Sequence, residues 1–200
     1  MSTTISGKLD EKFKQWVEGR DATQARISVF EKIRDIPYAV VPQLIDPEGY
    51  VDILSIGKGS CTPKHFLLGE MFQRLGLLVL YVVYPFRWCE WHPEEKEYPP
   101  RLLSLSEDMP VSYHIACKVV IDDRLVLVDA TLDSPLTKFD LPVNENWDGF
   151  SNTILPVNPC GAEEIYHPSE AHLMQSRYFD RNSLEFYKEL NQCLEDVRNL

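Results

Sequence analysis

The sequence predicts an α+β fold in which N-terminal helices pack on an antiparallel β-sheet. Three observations carry that expectation. Apolar residues recur at helical spacing before residue 35 and again at the C-terminal end. A helix-like pattern follows the Gly-rich stretch GKGSC, residues 57 to 61. Apolar runs of strand composition lie at 77–84 and on both sides of Asp122-Asp123.

In chain order, Leu9, Phe13, Trp16 and Val17 share one helix face, and Gly19 supplies a stop. Asp21 is a good N-cap for a second helix carrying Ala25, Val29, Phe30 and Ile33, which Pro37 closes. Residues 37 to 51 contain three prolines and a glycine, which is loop chemistry, and a short apolar piece follows at 51–56. Leu67, Met71 and Leu75 then mark a helix opened by Pro63 and ended by Gly76. Residues 85 to 112 lack clear periodicity and read as a long excursion of the kind that forms lids or binding loops. Residues 113–120 and 124–130 read as a hairpin or meander. The chain from 131 to 162 wraps the core, and a last helix runs from Asn182 or Ser183 to about Asn199. No repeat or boundary divides the 200 residues, so one domain is expected, with its core at about 20–135 and an extension at 136–200.

The composition excludes several classes of function. A net charge of −11 argues against non-specific nucleic-acid binding and against anionic membranes. The longest apolar run, at 77–86, is too short to span a bilayer. Five widely spaced cysteines without a CxxC are not a disulfide framework, and no signal peptide is visible, so a cytoplasmic protein is expected. Cys89 and His92 are half of a metal pair, with His167 and His172 the only other half on offer. Tighter pairing is usual for zinc, so no metal and no cofactor are expected.

The chemistry gathers in three places. Cys61 stands where a turn meets a helix start, and there the helix dipole and unpaired N–H groups favour a thiolate. Glycines at 57 and 59 would let a substrate approach, and the Cys61 N–H could serve as an oxyanion donor. His114 lies near the start of one strand and Asp129 near the end of the next. The turn at Asp122-Asp123 sits almost midway between them, which makes the two side chains cross-strand neighbours. Each residue also has a plainer reading: a core cysteine, a core histidine, a strand-end carboxylate. His65, one turn along from Cys61, reads as a helix-surface or pocket group.

The order Cys, His, Asp resembles the transglutaminase-like superfamily of papain-type cysteine enzymes. The resemblance rests on GKGSC at 57–61, FQRLGLLVLYVV at 72–83, SYHIACKVVI at 112–121 and LVLVDATLD at 125–133, and covers roughly residues 20 to 135. It departs at Ile115–Cys117, where the family often has an aromatic residue, and at Leu125, where it often has a tryptophan. The resemblance implies a papain/transglutaminase-like fold and acyl transfer on the amide bonds of a peptide or protein. Cys61 would be the nucleophile, His114 the proton carrier and Asp129 the group that orients His114. Gln43 and Tyr38 are oxyanion candidates, and Trp88 and Trp91 form either a substrate wall or a hydrophobic plug. Water as acceptor gives a protease or amidase, and an amine gives a transglutaminase. The rival is a non-catalytic binding module on the same fold; the oligomeric state stays open.

Overall fold

The computed structural model describes residues 2–44, 47–91, 98–174 and 181–200. Two helices, α1 (Ser2–Val17) and α2 (Ala22–Arg34), open the chain. A capping box joins Asp21 and Gln24 at the start of α2. Turns of 3-10 type lie at Pro42–Leu44 and Pro47–Asp52, and the apolar piece after them is a short helix, α3 (Ile53–Ile56). Next come α4 (Cys61–Arg74), β1 (Val79–Phe86) and a 3-10 turn at Trp88–Glu90. They are followed by α5 (Pro100–Glu107), β2 (Ser112–Ile121), β3 (Arg124–Val128), β4 (Glu164–Tyr166) and α6 (Arg181–Arg198).

The four strands form one antiparallel sheet in the order β3-β2-β1-β4. The β2–β3 turn places Asp122 and Asp123 at φ 48° and 61°. That left-handed geometry matches the strand twist of a tight hairpin, and Asp tolerates it better than most residues. Helix α4 packs on β1 and β2, with α2 against its other side. Every residue from Cys61 to Gly69 is buried, so α4 is the central helix despite carrying Lys64 and His65.

The main core joins α2 and α4 to the sheet through Phe30, Leu68, Phe72, Val119 and Val128. A second apolar cluster lies outside it, where Tyr38, Trp88, Leu102 and Leu132 meet Phe186, Leu190 and Leu194 of α6. The last helix is thereby packed against the residues that flank Cys61.

Several sequence expectations need correction. The excursion at 85–112 contains a helix, α5, because Pro100 opens a short amphipathic stretch that buries Leu102. Strand β4 is three residues long with mostly exposed side chains, too brief to leave an alternating pattern. The two glycines before Cys61 each have a structural role. Gly57 ends α3 in the left-handed region at φ 75°. At Gly59 a Cβ would stand 2.7 Å from Ile53 Cδ1 and 2.9 Å from Pro63 Cγ, so this position serves packing.

Candidate active site

Cys61 is the first residue of α4, and its N-cap Ser60 gives no side-chain hydrogen bond. The thiol and the His114 ring are in hydrogen-bonding contact. On the ring's other side, His114 Nε2 lies 2.5 Å from Asp129 Oδ2, which leaves Nδ1 for the sulfur. All three side chains are buried, at 3%, 2% and 1% exposure.

The hairpin brings His114 and Asp129 together differently from the midpoint estimate. The register pairs Cys117 with Val128. One step further sets Asp129 opposite Ala116 and diagonal to His114, a separation a histidine can bridge. Asp129 lies just beyond the last paired residue, and the wrapping segment holds it there. Its N–H donates to Thr153 Oγ1 at 2.8 Å, and its carbonyl accepts from Asn144 Nδ2 at 3.1 Å. The Asp129 Oδ1 atom also accepts the Thr131 N–H at 2.9 Å.

Charge follows from this geometry. Burial alone would lower the His114 pKa, but the Asp129 carboxylate and the Cys61 sulfur outweigh it and lift the value to about 9. Burial pushes Asp129 upward, and the charge and hydrogen bond of His114 bring it below the ordinary carboxylate range. An imidazolium touching a thiol favours the thiolate.

Three further polar residues support the site, and periodicity gave no sign of them. His65 is fully buried rather than on a helix surface. Its Nε2 accepts the Ala130 N–H at 3.0 Å, so its Nδ1–H donates to the Cys61 carbonyl at 2.9 Å. Burial lowers its pKa to about 4, so it stays neutral and fastens the start of α4 to the strand end after Asp129. Lys64, also fully buried, donates to the carbonyls of Arg34 and Ile36 at 2.8 Å and of Thr131 at 2.6 Å. Asp133 accepts the Tyr38 N–H at 2.7 Å and a two-pronged ion pair from Arg198, which also reaches the Tyr38 carbonyl. The sequence signal was present: charged residues inside apolar runs, in CTPKHFLL and DATLD.

Among the other candidates, Tyr38, Trp88 and Trp91 line the cavity beside Cys61 and His114, with Phe86, Thr131 and Leu132. Gln43 does not: it is exposed on the turn at Pro42–Leu44. Trp88 is held edge-on or tilted by Phe86, Trp91, Phe186 and Tyr187, at 4.9 to 6.1 Å between ring centres. The cavity is nearly shut, with about 10 Å³ of space, room for one water at most. A larger cavity of about 660 Å³ lies between the 37–42 segment, Gly57–Lys58 and α6, and does not include Cys61. Its lining holds no cysteine or histidine, whereas Cys61 and His114 line the closed cavity.

All five cysteines are free thiols. No group of three His, Cys, Asp or Glu side chains among the described residues is placed to hold a metal. His92 lies outside the described residues, as does the side chain of His172. No helix among the described residues is long and apolar enough to cross a membrane.

No family model matches the chain, and no curated protein matches it. A search of solved structures finds the crystal structure of "a putative protease" from Parabacteroides distasonis ATCC 8503, with a TM-score of 0.40 and 13% sequence identity. The match covers 64% of this chain and 26% of the other. So loose a likeness carries no argument about fold or activity, and the site is read from its own geometry.

Proposed function

We propose that this chain is a cysteine-dependent acyl-transfer enzyme acting on amide bonds, with a papain/transglutaminase-like core and a C-terminal extension in a single domain. Cys61 attacks the carbonyl as a thiolate. His114 gives a proton to the leaving amine, and Asp129 fixes the imidazole. Water or an amine then releases the acyl group from sulfur. The observation that carries this reading is the unbroken contact from the Cys61 thiol to His114 and from His114 to Asp129. It is supported by the helix start under the sulfur and by a histidine whose proton is held to about pH 9. A peptide or protein substrate, a cytoplasmic setting and the absence of nucleic-acid and membrane partners belong to the same proposal.

The second reading, a non-catalytic binding module, is favoured by the closed cavity. Acylation separates the two. Mixed with p-nitrophenyl acetate, the enzyme is expected to gain one acetyl group on Cys61 by mass spectrometry. Cys61→Ala gains none there, and His114→Ala is slowed about 10³-fold or more. Added methylamine speeds turnover if the natural acceptor is an amine, and leaves it unchanged if the site admits only water. A folded wild-type protein with no adduct at Cys61 removes the enzyme reading.

A further inference from the structure

Two residues in the wall of the Cys61 cavity each carry a buried polar atom with no hydrogen-bond partner among the described residues: Nε1 of Trp88 and Oγ1 of Thr131. Both residues are 97% buried, at 3% exposure each. A buried donor left without a partner is costly, so two on residues that line one small cavity call for a reason. We propose that the Thr131 hydroxyl and the Trp88 indole N–H hold the carbonyl oxygen of the acyl substrate beside Cys61. This rests on the acyl-transfer reading and adds the groups that take the charge.

Both residues are held firmly in place. The Thr131 carbonyl receives Lys64 Nζ at 2.6 Å, and its N–H is bound to Asp129 Oδ1 at 2.9 Å. The main chain beneath the hydroxyl is therefore fixed from both sides. Trp88 is wedged among four aromatic rings, two from β1 and its following turn and two from α6. Donors held in place before reaction cost nothing to reorganise when charge develops. In the step itself, Cys61 Sγ bonds to the carbonyl carbon and the C=O π pair moves onto oxygen. That oxygen takes the hydrogen bonds of Thr131 and Trp88. The C=O bond then re-forms, the C–N bond breaks, and the amine leaves with the His114 proton. Beyond Cys61, His114 and Tyr38, the remaining wall, with Phe86, Trp91, Leu132, Pro156 and Val157, is mostly apolar. It suits an uncharged acyl group, so the two donors meet the carbonyl rather than a carboxylate.

The test compares two reactions of the same sulfur. Acylation by p-nitrophenyl acetate develops an oxyanion; alkylation by iodoacetamide displaces iodide at a saturated carbon and develops none. Thr131→Val and Trp88→Phe are each expected to slow acylation of Cys61 about 10²-fold and to leave alkylation at the wild-type rate. Thr131→Ser, which keeps the hydroxyl, restores acylation. Circular dichroism checks each fold, and the near-isosteric Thr131→Val carries the test alone if Trp88→Phe unfolds. Wild-type acylation in folded Thr131→Val overturns the proposal, as does alkylation that falls in step with acylation. A wild-type Cys61 that reacts with neither reagent defeats the acyl-transfer reading itself, and the proposal falls with it.

Discussion

His114 holds its proton against the pull of its own burial. An ordinary histidine loses it near pH 6.5, and here the Asp129 and Cys61 partners carry the value to about 9. The group is raised, so the imidazolium is complete well below pH 9 and is lost as pH climbs through that value. The rate of amide acyl transfer should therefore fall on an alkaline limb near pH 9, where the leaving amine finds no acid. In Asp129→Asn the largest supporting charge is gone, and the limb should move down toward 6.5. A pH–rate profile of the two proteins checks this; an unmoved limb would assign it to another group. Cys61, His114 and Asp129 could be named from the sequence because polar groups in apolar strands and at a helix start stand out there. Thr131 could not, since a threonine just past a strand end is common there for local hydrogen bonding alone.

At the scale of elements, the helices and the hairpin were legible because each carries its own period and its own caps. The start of α2 follows from Asp21 and the end of α4 from the glycine beyond it. What the period could not reveal was contact between distant segments. The closure of the site is of that kind: Trp88 and Trp91 come from the turn after β1, and Phe186 and Tyr187 from α6, about a hundred residues later. Both tryptophans line the cavity, but Trp91 is the less buried, and it meets Trp88 edge to face at 5.4 Å. That makes Trp91 the outer member of the wall. Trp91→Ala removes a ring contact worth about 1 kcal/mol, which raises the open population about fivefold. Iodoacetamide should then modify Cys61 faster by that factor in time-resolved mass spectrometry. A rate equal to wild type would mean that reagents enter by another route.

For the whole molecule, the polar interior decides how the parts stay joined. The Lys64 ammonium gathers the end of α2, the residue before Pro37 and the chain just past β3 at Thr131 onto α4. Burial draws its pKa down to about 7, but three carbonyls match the three N–H groups that only the charged form has. Lys64→Met leaves those carbonyls buried without a donor and should cost about 3 kcal/mol or more, read as a lower urea midpoint at unchanged slope. An unchanged midpoint would show that the lysine contributes nothing net. Arg198 plays a similar part for α6, reaching Asp133 and the Tyr38 carbonyl at once. Arg198, in a polar stretch, looks in sequence like any surface charge, and Lys64 is marked only by its place inside the apolar run CTPKHFLL.

The central claim is that the sulfur at 61 is activated by its surroundings, and selective alkylation tests it most directly. Cys160 is the exposed thiol and Cys61 is 97% buried, so exposure alone would send iodoacetamide to Cys160 first. At about pH 6, where an ordinary thiol is almost entirely protonated, peptide mapping should instead find Cys61 modified ahead of the other four, and His114→Ala should abolish that preference. Modification of Cys160 first, with Cys61 untouched in the folded protein, would contradict it.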